Sequence, residues 1–335
     1  MHLTQALPGT GGTFTPSVLD FEVEEVPLYL PCGEGDHLYI TFEKQGLTTR
    51  DVVTRAAQVF GAAEPEIGYA GLKDKHATTR QTISIHGAKE ADAARLDGDG
   101  VRVLGAKLHK NKLRVGHLVG NRFRAVVRGT EPGALERAQA VLEVLGARGL
   151  PNVYGEQRFG AGGGNVAAGR AILLEGRREK PWKAKLLLSA LQSDLFNRVL
   201  EARMARGAFD RVLCGDVLQK VASGGLFTSA DAAVDQLRFD GFEVSITGPI
   251  FGPKMRAPTG EPAAWEAEVL ASAGLTLADF RRGGRLTEGT RRPLRVPVGA
   301  PSAVAVDGGV ELRFELPAGA YATVLIDEVV KPARG

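Results

Sequence analysis

The chain has 335 residues, of which 44% are hydrophobic and 24% are charged, values typical of a globular protein long enough for two domains. It has no run of eighteen apolar residues and no signal-peptide pattern at its start, so we expect no membrane segment and a cytoplasmic location. The net charge of +3 does not by itself indicate a nucleic-acid partner, and the two cysteines, Cys32 and Cys214, indicate neither a disulfide framework nor a zinc site.

The first 150 residues show alternating strand and helix patterns. In residues 36–44, apolar side chains alternate with polar ones, which predicts a half-buried strand. Thr48 and Asp51 form a capping pair that predicts the start of a helix ending at Gly61. The same patterns predict strands near 82–86, 101–104 and 122–129, and a helix near 133–147.

Residues 151–292 have a different pattern, with a glycine-rich loop followed by a long amphipathic helix from Lys183 to Ala205. Proline and glycine punctuate the later part of this segment, which is typical of connections near a domain boundary. The alternating pattern then returns at Val310, Leu312 and Phe314. We therefore expect the end of the chain to complete the sheet of the first block.

Positive charge is concentrated in two runs. Residues 101–130 lack Asp and Glu and contain Lys107, Lys110, Lys112, Arg114, Arg122, Arg124 and Arg128. In the second run only Glu288 interrupts a basic series formed by Arg281, Arg282, Arg285, Arg291, Arg292 and Arg295. Such runs fit a polyanionic partner. The alternative for either run is a solvated basic face.

The stretch GYAGLKDKHATTRQT, residues 68–82, contains the strongest candidate for a catalytic group. Asp74 lies in a polar loop between a predicted helix and a predicted strand, with Lys73 and Lys75 on either side. Adjacent cations favour an ionised carboxylate, and Thr78, Thr79 and Gln81 are available as hydrogen-bond donors. The alternative is a loop aspartate in surface ion pairs.

This stretch resembles the signature motif of the TruD family of tRNA pseudouridine synthases. Four further segments resemble family motifs and occur in the family's order: DFEVEEVPLYLPCGEGDHLYI (20–40), VGHLVGNRFRAVVRG (115–129), PNVYGEQRFGAGGGN (151–165) and LPAGAYATVLIDEV (316–329). Five motifs in register over nearly the whole chain make the resemblance specific.

The resemblance implies a role for individual residues. Asp74 matches the family's catalytic nucleophile, and the expected substrate-binding residues are Phe21, Asn121, Phe123, Tyr321 and Lys73. Tyr321 stands where the family commonly has Phe, and it keeps a stacking face while adding a hydroxyl.

The resemblance also implies an α+β fold with a mostly antiparallel catalytic sheet. We expect residues 1–150 and 293–335 to form the discontinuous catalytic domain, and residues 151–292 to form an inserted, family-specific α/β domain. The implied substrate is tRNA, held in a basic cleft between the domains, with uridine 13 of the D-arm as the target. We expect a monomer that requires no protein partner, no metal and no cofactor.

The implied chemistry needs no redox change. Uracil separates from ribose, rotates while it is held, and rejoins the same sugar carbon through a carbon atom. An ionised carboxylate assists by attacking the sugar carbon or the base, or by removing a sugar proton. The uridine must be flipped out of the RNA, which costs about a few kcal/mol.

Two other functions are weighed against this one. A non-catalytic RNA-binding protein or RNA chaperone would keep the basic runs, but the intact Asp74 motif argues against it. A methyltransferase would need a nucleotide-cofactor fingerprint, and FGAGGGN, residues 159–165, matches neither the dinucleotide nor the Walker pattern. His76, His109 and His117 match no usual spacing of metal ligands.

Overall fold

The structure, a computed structural model, describes residues 2–331. Its strands are β1 (Phe21–Pro27), β2 (His37–Lys44), β3 (Gly68–Tyr69), β4 (Thr78–His86), β5 (Val101–His109), β6 (Leu118–Arg128), β7 (Leu150–Pro151), β8 (Val217–Lys220), β9 (Leu226–Thr228), β10 (Val244–Ile250), β11 (Thr290–Pro293), β12 (Arg295–Val296), β13 (Gly299–Val306) and β14 (Gly309–Pro317). Its α-helices are α1 (Thr49–Phe60), α2 (Ala134–Arg148), α3 (Gly164–Glu175), α4 (Pro181–Ala205), α5 (Ala232–Asp240), α6 (Gly260–Ser272) and α7 (Ala322–Val330). Short 3-10 helices cover Glu64–Glu66, Glu90–Leu96, Glu156–Phe159, Ala161–Gly163 and Asp279–Thr287.

The chain divides into two compact units. The first, which we call the sheet unit, consists chiefly of residues 6–146 and 298–322. The second, which we call the middle unit, consists chiefly of residues 147–297. Among the helices within residues 2–331, none combines the length and the apolar character needed to cross a lipid bilayer.

The sheet unit is built on an eight-stranded sheet in the order β13-β14-β6-β1-β4-β2-β5, with β3 paired to β4. Every pairing in this sheet is antiparallel except that of β1 with β4. The α+β class and the mostly antiparallel sheet are therefore as predicted. The predicted return of the chain's end to this sheet is also confirmed, because β14 pairs with β6 over nine residues.

One face of this sheet carries the core. Leu38, Ile40 and Phe42 of β2 are fully buried and pack with the apolar face of α1. The predicted capping pair of α1 is confirmed, since the Thr48 hydroxyl accepts from the amide of Asp51 and the Asp51 carboxylate accepts from the amide of Thr48. Successive side chains alternate between the faces, so Lys44 lies in the same buried row as Phe42.

The opposite face carries cross-strand ion pairs, and these change the interpretation of the first basic run. Arg122 binds Glu315 at 2.7 Å, Arg124 binds Glu311 at 2.7 Å and Arg128 binds Asp20 at 2.5 Å. The acidic partners come from β14 and from the segment before β1, far away in sequence. Each of these three arginines of β6 is thus paired with a carboxylate. They do not form the basic surface that the sequence suggests.

The middle unit has its own antiparallel sheet, β11-β10-β8-β9, and its own core around the long helix α4. The second basic run is partly inside this core. Arg291 on β11 is buried and forms a two-pronged ion pair with Glu266 of α6 at 2.7 and 2.9 Å. Arg295 is also buried. The expectation that this whole run faces RNA is therefore wrong for Arg291 and Arg295, because both side chains are buried inside the middle unit.

Candidate active site

Asp74 lies in a loop of the sheet unit, residues 70–77, which we call the Asp74 loop. The loop connects β3 to β4, and the Asp74 side chain is exposed. The carboxylate oxygen Oδ1 accepts a hydrogen bond from the main-chain amide of His76 at 2.9 Å. The carboxylate is therefore oriented by its own loop while remaining open to solvent.

Lys44 fixes the main chain of this loop from below. Its side chain is fully buried at the end of β2, and Nζ donates to the carbonyl oxygen of Asp74 at 2.7 Å and to that of Leu47 at 2.7 Å. The hydroxyl of Thr79 lies 3.4 Å from the same nitrogen. Burial lowers the pKa of Lys44 to about 8, against a smaller opposing effect of the Asp74 charge. At neutral pH the ammonium group is thus held beneath Asp74.

Lys73 is directed away from the Asp74 carboxylate and towards β1. Its Nζ forms an ion pair with Glu25 at 2.5 Å, and both side chains are more than nine-tenths buried. Burial raises the pKa of Glu25, and the charge of Lys73 opposes that rise. The amide of Lys73 donates to the hydroxyl of Thr49 at 2.8 Å. The loop is thus anchored to β1 and to the first residue of α1.

The polar residues expected to donate to Asp74 bind other groups. The hydroxyl of Thr78 donates to the carbonyl oxygen of Val18 at 2.7 Å. Gln81 accepts from the hydroxyl of Thr49 at 3.0 Å. Thr79, as described above, faces Lys44. These three side chains support the loop and do not contact its carboxylate.

Asn121 lies on β6 directly opposite Glu25 of β1, on the face that carries the core. Its side-chain oxygen is buried and has no hydrogen-bond partner among residues 2–331. A buried acceptor without a partner costs about 1–3 kcal/mol, so this oxygen is available to a ligand or a water molecule that donates to it.

The aromatic candidates differ in their surroundings. Phe21 is half-buried and lies on Phe123 with parallel rings at 6.1 Å between centroids. Phe123 is 9% exposed and is also stacked on Phe314 at 5.3 Å. Tyr321 is half-buried at the residue before α7. Phe21 also meets Phe14 edge-to-face at 5.3 Å. Phe21 and Tyr321 are thus only partly buried, whereas Phe123 is covered on both faces.

The structure adds three residues to those found in the sequence: Lys44, Glu25 and Thr49. A signal for Lys44 exists, because period-two alternation from Phe42 places it in the buried row. Glu25 follows Phe21 and Val23 in the same way on β1. No sequence pattern indicates Thr49, because its contact with Lys73 forms only when the Asp74 loop folds against the start of α1.

The comparisons with known proteins point to one family. The sequence profile of tRNA pseudouridine synthase D (TruD) matches residues 1–180 and 180–329. The protein named tRNA pseudouridine synthase D from Anaeromyxobacter sp. (strain Fw109-5) is 49% identical over 336 residues, covering 98% of this chain and 95% of that protein. A protein of the same name from Thermus thermophilus is 47% identical over 331 residues, covering 98% of this chain and 91% of the other.

A solved structure has the same fold. It is the crystal structure of the putative tRNA pseudouridine synthase D from Methanosarcina mazei, which superposes with a TM-score of 0.81. The match covers 99% of this chain and 96% of that chain at 22% sequence identity.

Proposed function

Because the chain belongs to the tRNA pseudouridine synthase D (TruD) family, we propose that it converts uridine 13 in the D-arm of tRNA into pseudouridine, with Asp74 as the nucleophile. The observation that carries this proposal is an exposed carboxylate on a loop whose main chain is fixed by a buried lysine. A reactive group needs a rigid support, because small displacements of a catalytic group cost much of its effect.

The proposed reaction requires that the flipped uracil be held while it rotates. The half-buried ring of Phe21 is proposed as a stacking surface, with Phe123 packed against it as support. Stacking of this kind contributes roughly 1–3 kcal/mol per base. The ring of Tyr321 is proposed as a second stacking surface. The free side-chain oxygen of Asn121 accepts from an N–H of the base or from a ribose hydroxyl.

Lys73 takes part indirectly in this scheme. Its ammonium group is bound by Glu25, so it contributes to substrate binding by holding the Asp74 loop in shape. We also propose that the sheet unit is the catalytic domain of the family and that the middle unit is its inserted domain. All the proposed site residues belong to the sheet unit.

The experiment that tests this proposal is the substitution Asp74→Asn. It removes the charge and little volume, so we expect tRNA to bind while turnover falls by at least about a thousandfold. The measurement is pseudouridine formed in a tRNA transcript without any added cofactor. Asp99→Asn is the matched control, because Asp99 is also an exposed turn aspartate of the sheet unit. Turnover of Asp74→Asn within about tenfold of the control would contradict the proposal.

A further inference from the structure

A basic cavity of about 520 Å³ lies in the sheet unit, at β3. Gly68 and Tyr69 of β3, which lead directly into the Asp74 loop, form part of its wall. The charged groups that line it are three cations, Arg50, Lys112 and Arg114, and one carboxylate, Glu64. The cavity is thus positively charged, and its volume lies in the range of about 300–1,000 Å³ typical of ligand sites.

The two arginines differ from those elsewhere on the sheet unit. Arg50 and Arg114 are exposed, and within residues 2–331 their guanidinium groups form no ion pair or hydrogen bond. The arginines of β6 are paired with carboxylates, as described above. Arg50 and Arg114 therefore present unneutralised guanidinium groups, the chemistry that recognises phosphate by paired hydrogen bonds.

The other charged groups that line the cavity do not neutralise the positive charge of these two arginines. In the described part of the chain, Glu64 is the only acid that lines the cavity, and its carboxylate accepts from the hydroxyl of Thr54 at 2.6 Å. Lys112 donates to the carbonyl oxygen of Pro65 at 2.5 Å, a contact that leaves its charge in place. A net positive field thus remains at the cavity.

Arg50 is adjacent to a residue that holds the Asp74 loop, and Arg114 is adjacent to a residue that holds β4, the strand that follows the loop. Arg50 follows Thr49, whose hydroxyl accepts from the amide of Lys73. Arg114 follows Leu113, whose amide donates to the hydroxyl of Ser84 on β4 at 2.9 Å. The backbone of β3 approaches that of Leu113 closely. This approach requires glycine at position 68, because a Cβ there would lie 2.2 Å from the carbonyl oxygen of Leu113. The cavity is therefore formed by α1 and β3, which adjoin the proposed catalytic loop.

We propose that this cavity binds an RNA phosphodiester next to the target uridine, and that Arg50 and Arg114 are the residues that bind it. The proposal rests on the proposed function in that the polyanion is tRNA. Tyr69, which also lines the cavity, offers a ring to the sugar or base attached to that phosphate. Binding here places the strand beside Asp74 while the target nucleotide is flipped out.

The test uses the double variant Arg50→Gln/Arg114→Gln and an unmodified tRNA transcript. Affinity is measured over a range of salt concentrations in an Asp74→Asn background, so that no product forms. We expect the affinity to fall by about ten- to a hundredfold and the salt slope to decrease by about 1, since the neutralisation of one phosphate is lost. In the catalytically active background, most of the loss should appear in KM and not in kcat.

Two further variants make the result specific. The control Arg102→Gln/Arg313→Gln removes two exposed arginines that are ion-paired, so its affinity and salt slope should match those of the parent. Arg50→Lys/Arg114→Lys keeps the charge but loses the paired geometry, so it should keep the salt slope and recover part of the affinity.

The proposal is overturned if Arg50→Gln/Arg114→Gln binds tRNA with the affinity and salt slope of the Arg102→Gln/Arg313→Gln control. A loss of kcat with unchanged tRNA affinity overturns it as well. The proposed function fails by a different result, namely that the wild-type protein binds tRNA and forms no pseudouridine.

Discussion

Lys44 carries its charge in a place from which water is excluded. Three oxygen atoms surround its Nζ, and one of them is the carbonyl oxygen of Asp74 itself. Since an unpaired buried ammonium is strongly disfavoured, these contacts make the position of the Asp74 main chain and that of Lys44 depend on each other.

At the residue scale we predict that Lys44→Met lowers kcat by about ten- to a hundredfold. Methionine fills a similar volume, but it leaves the Asp74 carbonyl without its donor, and hydrogen bonds to charged groups are worth about 1.5–3 kcal/mol. The measurement is single-turnover pseudouridine formation at saturating tRNA. Lys89→Met, an exposed lysine of the same unit, is the control. Equal rates for the two variants would contradict the prediction.

The lowered pKa of Lys44 also predicts a change of stability with pH. The native-state pKa is about 8 and the ordinary value is 10.5, so between these values the unfolded chain binds more protons at this site. The free energy of unfolding should therefore rise with pH across this window, by at most about 1.4 kcal/mol per pH unit from this group.

Comparison of Lys44→Met with the wild type isolates this contribution, because every other titrating group is shared. Urea unfolding curves at pH 7.5 to 10.5 measure it. Lys44→Met should lack the rise that Lys89→Met retains. A rise of the same size in both variants would show that Lys44 has an ordinary pKa in the native state.

At the scale of elements, strand pairing decides whether a basic run becomes a basic surface. The arginines of β6 are neighbours of acidic residues on β1 and β14, which are distant in sequence. The sequence shows the cations together and the acids apart, so charge counting along the chain overestimates the basic surface. Arg50 and Arg114 escape this neutralisation because they lie outside the paired strands.

Arg291 on β11 is likewise neutralised by an acidic residue of another element, Glu266 of α6. Its guanidinium group binds both oxygens of Glu266, and both side chains are buried. Arg291→Ala leaves a buried carboxylate without its cation, so we predict a loss of about 3–5 kcal/mol in the free energy of unfolding. Arg281→Ala, an exposed member of the same run, should change it by at most about 0.5 kcal/mol. Urea unfolding of both variants is the measurement, and equal midpoints would contradict the burial of this pair.

At the scale of the whole molecule, the elements found from the sequence are those with clean periodicity. The strand β2, the helices α1, α2 and α4, and the tail strand β14 fall in this class. The sequence does not predict β10, because the alternation of its first four residues, Val244 to Thr247, is short and ends at Gly248 and Pro249. α7 resembles a strand because it is rich in β-branched residues.

The sequence predicts those residues of the candidate site that lie within recognisable motifs. Asp74, Phe21 and Asn121 stand within conspicuous segments, whereas Lys44 and Glu25 become part of the site only when β1, β2 and the Asp74 loop meet. Such contacts join residues far apart in sequence, and no local pattern contains them. The cytoplasmic location, the monomeric state and the domain assignment stay predictions from the sequence.

The most direct test of the central claim maps pseudouridine across all cellular tRNA with and without this gene. We predict that the modification disappears at position 13 alone, and that the wild-type gene restores it whereas Asp74→Asn does not. An unchanged position 13, or a loss confined to another position, would contradict the account.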